Sequence, residues 1–105
     1  MSATLSVVIP AYNEERFIGT LLERIRAVDL APLGLTTEII VVDDGSRDRT
    51  VEIASAVPGV RVHRMPVNGG KGKAVRAGIG LATGDLLIIQ DADLEYDPAD
   101  WQQMF

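Results

Sequence analysis

Cysteine is absent from this chain of 105 residues, which removes disulfides, thiolate metal sites and thiol nucleophiles together. A cytoplasmic setting fits that absence without being required by it. Histidine occurs once, at His63, with no acidic partner nearby in sequence, and it is expected to be structural or exposed. No serine sits in a Gly-x-Ser-x-Gly frame, since Gly45-Ser46-Arg47 lacks the flanking glycines, so a nucleophile elbow is excluded. Basic residues are outnumbered, 10 against 15 acidic, for a formal net charge of -5. That balance argues against a general nucleic-acid binder. No stretch approaches the roughly 20 apolar residues that span a bilayer. The opening Met-Ser-Ala-Thr also lacks the basic segment of a secretory signal. Membrane association is expected only through a longer parent protein.

What is present is an ordinary globular balance, 47% hydrophobic and 24% charged, enough for one modest core and one domain over residues 1–105. A net-acidic domain that takes an anionic substrate needs local help, either a cation held by carboxylates or backbone amides aimed at phosphate.

Strand and helix patterns alternate along the chain. Leu5-Ser-Val-Val-Ile9 is a β-branched run closed by Pro10, which cannot donate to a ladder. Asn13 is a candidate N-cap for a helix carrying Phe17, Ile18, Leu21, Leu22, Ile25 and Val28 at helical spacing. Pro32 and Gly34 break that helix, and Glu38-Ile-Ile-Val-Val42 supplies a second strand. Asp43-Asp44-Gly45-Ser46 turns the chain, with Ser46 or Asp48 placed to cap a helix whose inward face carries Val51, Ile53, Ala54 and Val57. A short strand over 60–63 follows. Asn68-Gly-Gly-Lys-Gly72 then leads into a helix with Ala74, Val75, Gly78, Leu81 and Ala82 on one side, small enough for close approach to a sheet. Leu86-Leu-Ile-Ile89 reads as a fourth, buried strand, and a last helix is expected from about Pro98. Alternation of this kind predicts an α/β fold, a Rossmann-like parallel sheet with flanking helices on both faces. Ligands of such sheets bind beyond the carboxyl ends of the strands, where residues 12–14, 43–46 and 90–95 all fall.

Asp91 and Asp93 stand two apart at a strand terminus, so an extended backbone sends both carboxylates to one side. Magnesium and manganese take such oxygen ligands, and Glu95 continues the spacing as a third ligand or an acceptor behind them. Asp is equally at home in turns and caps. The pair nevertheless follows an apolar strand, and two close carboxylates repel unless a cation compensates them. Asp43-Asp44-Gly45-Ser46 has a plain turn reading, the stronger one, beside a functional one in which one of its two carboxylates accepts from a nucleobase or ribose. Tyr12 could lie against a base and Glu14 bond its edge, although gap-filling and helix-dipole roles are the simpler reading of both residues. The Gly-rich run is not a Walker loop, because Val67 stands where Gly72-Lys73 would require glycine and Ala74 replaces Ser or Thr. It also fails the dinucleotide pattern at Val75. Lys71 and Lys73 are left as solvated lysines or as attractors for an anionic substrate.

Taken together, Val8-Ile-Pro-Ala-Tyr-Asn-Glu14, Ile40-Val-Val-Asp-Asp-Gly-Ser46-Arg-Asp-Arg-Thr50, Asn68-Gly-Gly-Lys-Gly72 and the segment from Gly84 through Asp91, Asp93 and Glu95 to Pro98 resemble the family 2 inverting glycosyltransferases. Within that family they look most like the polyprenyl-phosphate sugar synthases. The resemblance implies the N-terminal nucleotide-binding half of a GT-A fold, a nucleoside-diphosphate sugar as donor and inversion at the anomeric carbon. It further implies a polyprenyl phosphate acceptor at a membrane surface. By position, Pro10, Tyr12, Glu14, Val42, Asp44 and Asp91 would line the nucleotide-sugar pocket. Asp91, Asp93 and Glu95 would hold a divalent cation, magnesium or manganese, and Glu95 stands where the mannose synthases often have glutamine. Members of the family continue well past Phe105, so no general base is identifiable, and the isolated chain is expected to bind donor but transfer little sugar.

Two other readings remain open at this point. A receiver-like signalling domain would use paired acids at strand ends to hold magnesium and accept phosphate on aspartate. A non-catalytic interaction fragment would self-associate through surfaces that the rest of a larger domain covers.

Overall fold

The computed structural model describes residues 3–92. The order is β1 (Ala3–Ala11), α1 (Ile18–Ala27), a 3-10 turn (Ala31–Leu33), β2 (Leu35–Asp43), α2 (Thr50–Ser55), β3 (Val60–Arg64), α3 (Lys71–Leu81) and β4 (Leu86–Ile89). The four strands form one parallel sheet in the order β3-β2-β1-β4. The chain therefore lays strands outward from β1 to β3 and then returns across the sheet to place β4 on the other side of β1.

That return decides where the helices go. Crossovers of one hand that run in opposite directions must lie on opposite faces. Ile18, Leu21, Leu22 and Ile25 of α1 and Ala54 of α2 pack with Leu5, Val7, Ile9, Ile39 and Val41 in the larger core. On the other face, Ala74 of α3 packs with Val8, Ile40 and Val42. Both sides of β1 and β2 are thus covered, which is why their sequences are apolar without alternation. Gly78 is what lets α3 approach: a Cβ there would stand 3.1 Å from Val42 Cγ2 and nearer still to Val8 Cγ1.

The structure departs from the sequence expectations at several points. Asn13 does not cap α1; the helix begins at Ile18 with Phe17 at its N-cap and no side-chain cap. Asn13 instead adopts φ 52°, a left-handed conformation that asparagine tolerates better than most residues. β4 was expected to be buried, yet Leu86, Leu87 and Ile89 are exposed, because β4 pairs with β1 and forms one edge of the sheet among the described residues. The helix expected from Pro98 lies outside the described residues. β3 forms as expected and extends through Arg64, with His63 exposed upon it.

The end of the sheet away from the strand carboxyl termini is tied by a polar cluster. Glu38 Oε1 accepts from Ser6 Oγ at 2.8 Å and from the Thr83 amide at 2.9 Å, while Oε2 accepts from Thr83 Oγ1 at 2.7 Å. Ser6 Oγ in turn accepts from the Gly84 amide at 2.8 Å. The α3–β4 connection is thereby fastened to both central strands. The Thr83 amide, the Thr83 hydroxyl and the Ser6 hydroxyl all stabilise the charged form of Glu38, and its pKa falls below the ordinary 4.5 despite partial burial.

Candidate functional site

The cleft opens where β1 and β4 part. Even-numbered residues of β1 face β4: Thr4 O accepts from the Asp85 amide, and Val8 O from the Gln90 amide, each within 2.9 Å. The next rung on that side would need an N–H from Pro10, which has none. Pairing with β4 stops there, while the other edge of β1 continues to β2 through Ala11 and Asp43. This is also the point at which strand order reverses, the usual position of a ligand crevice in open parallel sheets.

A cavity of about 450 Å³ lies at this place, lined by Pro10, Ala11, Tyr12, Glu14, Asp44, Lys71, Ala74, Asp91 and Ala92. Five of the expected residues, Pro10, Tyr12, Glu14, Asp44 and Asp91, are therefore brought together by the fold. Val42 is not: strand alternation turns it into the core beneath α3, with no exposed surface. Asp93 and Glu95 lie outside the described residues.

The walls of the cleft are fastened to one another. Asn13 of the β1–α1 loop donates its amide to Ser46 Oγ at 2.8 Å and accepts from the Arg47 amide at 2.9 Å through Oδ1. The Glu14 amide donates to Thr50 Oγ1 at 2.8 Å, and the Glu15 amide to Asp48 Oδ2 at 3.2 Å. Asp48 Oδ1 meanwhile accepts from the Thr50 amide at 2.9 Å and from Thr50 Oγ1 at 2.5 Å. Desolvation is the largest single influence on Asp48 and opposes its charge, but the bonds from Thr50 and the Glu15 amide together hold its pKa below the ordinary 3.8. Neither Ser46 nor Asp48 is the N-cap of α2, which is Arg49 with no side-chain cap; Asp48 instead ties Thr50 to the neighbouring loop.

Asp43 and Asp44 have separate tasks. Asp43 is fully buried; its Oδ2 accepts from the Gly45 and Ser46 amides at 3.2 and 3.0 Å, which shapes the turn. Asp44 reaches across to the glycine-rich loop. Its Oδ1 accepts from the Gly69 amide and its Oδ2 from the Gly70 amide, both at 2.9 Å. Gly70 holds φ 94°, which a side chain would oppose, and this turn sets Lys71 at the start of α3. Lys71 Nζ forms an ion pair with Asp91 Oδ1.

What sequence reasoning did not find are the pairings between segments that meet only in space. Nothing local links Asp44 to Gly69, or Lys71 to Asp91, across 25 and 20 residues. The Gly-Gly-Lys composition signalled a special loop but not its acidic partner.

Among the described residues no group of three or more His, Cys, Asp or Glu side chains could hold a metal ion by itself. Asp91 fits a weaker requirement. It offers hard oxygens at the mouth of a roomy cleft, and magnesium is often held by one or two carboxylates with phosphate oxygens and water completing the shell. The donor chemistry therefore fits a magnesium or manganese ion bound together with a phosphorylated ligand.

The sequence profile of the group described as Glycosyl transferase family 2 matches residues 6–105. The chain belongs to that family. Its match to the undecaprenyl-phosphate 4-deoxy-4-formamido-L-arabinose transferase of Pseudomonas aeruginosa is 45% identical over 102 residues, covering 90% of this chain and 29% of the relative. Among solved structures, residues 1–349 of TarS from S. aureus in complex with UDP-GlcNAc superpose with a TM-score of 0.80 at 28% identity, covering 99% of this chain and 30% of that one. Glucosyl-3-phosphoglycerate synthase of Mycobacterium tuberculosis, in complex with Mn2+, UDP and glucosyl-3-phosphoglycerate, gives 0.75 at 35% identity, covering 95% and 37%. The chain thus spans 29% to 37% of the length of the three proteins named here. These neighbours carry the GT-A glycosyltransferase fold, as the motifs led one to expect. Membership decides against the receiver-like alternative, and so does topology: a receiver sheet places its third strand beside the first, whereas β3 here lies beside β2.

Proposed function

We propose that this chain is the nucleotide-sugar-binding part of a glycosyltransferase that moves a sugar, with inversion, from a nucleoside-diphosphate sugar to a polyprenyl phosphate at a membrane surface. The observation that carries this reading is the cleft at the switch point, which joins Asp44, Lys71 and Asp91 from three separate segments. Tyr12, 46% exposed at the rim, offers a ring for the base, and Glu14 and Asp44 offer acceptors for base or ribose. Lys71 supplies positive charge for the diphosphate. A magnesium or manganese ion held by Asp91 and Asp93, with Glu95 beside them, would neutralise charge growing on the departing nucleotide. The acceptor follows from the undecaprenyl phosphate in the name of the Pseudomonas relative. Among the described residues no helix is long and apolar enough to cross a membrane.

Calorimetry of the folded chain with UDP, GDP, CDP and ADP, with and without Mn2+, tests the donor site. At least one nucleotide is expected to bind roughly tenfold more tightly with Mn2+, about 1.4 kcal/mol, and Asp91→Ala with Asp93→Ala should abolish that gain. Folded protein that binds none of the four would sink the reading. The chain alone is expected to transfer little or no sugar, and robust turnover with a nucleotide sugar and a polyprenyl phosphate would show that expectation to be wrong.

A further inference from the structure

The Lys71–Asp91 pair has an unusual support. Lys71 follows immediately on the two amides that Asp44 holds, so its backbone is fixed by a carboxylate only 5% exposed. Its side chain, by contrast, is 63% exposed and reaches an Asp91 side chain that is 32% exposed at the end of β4. Both line the cleft. A fixed base and an exposed head describe a group that can change partners without disturbing the fold. Lys73 makes a useful contrast: its stem lies over Gly69, where a Cβ would meet Lys73 Cδ at 2.8 Å, and it is not part of the cleft lining.

We propose that Lys71 is the resident counter-ion of Asp91, and that a divalent cation replaces it there efficiently only when a diphosphate arrives to take the ammonium. This rests on the reading of the cleft as a cation and diphosphate site. A dication that binds alone must displace the ammonium into water and then endure its repulsion. A diphosphate that binds alone must draw Lys71 away from Asp91 and face that carboxylate uncompensated. When both arrive, each takes one member of the pair and every charge keeps an opposite neighbour. Cation and diphosphate therefore bind with positive coupling, and linkage makes the effect reciprocal. Lys71 accordingly acts as a positioning residue that keeps the acidic site from filling with a cation before the donor is present.

The test measures Mn2+ binding to the 105-residue chain by electron paramagnetic resonance, with and without saturating UDP or GDP, in wild type, K71Q, K71R and K73Q. The proposal expects K71Q to bind Mn2+ alone roughly two- to fivefold more tightly, the range set by loss of one partly exposed ion pair. It expects K71Q to lose a comparable part of the enhancement that the nucleotide gives, K71R to behave as wild type, and K73Q to change Mn2+ affinity by less than about 1.5-fold. Equal or undetectable Mn2+ binding in wild type and K71Q overturns the proposal, as does K73Q tightening Mn2+ as much as K71Q, which would mean a general charge effect. Failure of the underlying site reading looks different, because no variant would then bind either nucleotide with Mn2+ present.

Discussion

Asp44 shows how one side chain can organise a site by holding a loop. Its two oxygens each accept from a separate backbone amide of the glycine-rich loop, and charge-assisted bonds of this kind contribute about 1.5–3 kcal/mol each when well formed. Asn at this position keeps the shape but turns an NH2 group toward one of the two amides, leaving donor against donor. Asp44→Asn is expected to cost about 2 kcal/mol of stability, read by urea denaturation, and to speed amide exchange at Gly69 and Gly70 more than elsewhere. Uniform exchange across the chain would assign Asp44 no special hold on the loop. Sequence alone presented Asp44 as half of an Asp-Asp-Gly-Ser turn, which is common chemistry for any loop. Local pattern could not separate Asp43, which shapes that turn, from Asp44, which leaves it, because both are acids at adjacent positions; only the family resemblance singled out Asp44.

At the scale of elements, α3 was legible as a helix with a small-residue face, although it begins at Lys71, inside the expected loop, and ends at Leu81, and the structure explains what the small residues are for. The helix lies so close to β1 and β2 that Gly78 has no space for a methyl group against Val8 and Val42. Gly80, on the same helix, would carry a Cβ into open space. Two substitutions of identical chemistry should therefore differ in sign. Gly78→Ala is expected to destabilise by about 1–3 kcal/mol through overpacking. Gly80→Ala should stabilise by about 0.5–1 kcal/mol, because alanine gives up less backbone freedom in a helix. Thermal melting of the two variants checks this, and a fall of similar size in both would mean that α3 does not pack as closely as described. β4 was legible in extent but not in environment. Four apolar residues in a row fit a central strand, yet Leu86, Leu87 and Ile89 are exposed, since position within a sheet depends on which strands pair with it.

For the whole molecule, one sheet end carries the cleft and the opposite end carries the fastening that holds the sheet order. Glu38 joins β2 to the α3–β4 connection and to β1 through Ser6, so it guards the return crossover that creates the cleft. Its folded pKa lies below its ordinary 4.5, meaning that the unfolded chain binds this proton more readily. Its contribution is therefore present above about pH 4.5 and is lost as pH falls through the lower folded value. Asp48, lowered from 3.8, acts in the same direction at the cleft end. Glu38→Gln is expected to flatten the acid limb of a stability against pH curve while lowering the plateau near neutrality. A variant whose acid limb matches wild type would show that Glu38 does not carry this dependence.

Composition and pattern by themselves determined the fold class, the strand and helix order, and the four motif segments that place the chain in its family, because apolar periodicity and turn residues act locally along the chain. The family resemblance of those segments directed attention to Pro10, Tyr12, Glu14, Asp44 and Asp91, which the fold does gather. Tertiary structure alone decided that Val42 is core, that Asn13 locks two loops instead of capping a helix, that Asp44 holds the glycine-rich loop and that Lys71 meets Asp91. Each of these depends on contacts between segments 20 or more residues apart. Such contacts exist only once the strands have paired in the order β3-β2-β1-β4, and no local pattern encodes that order.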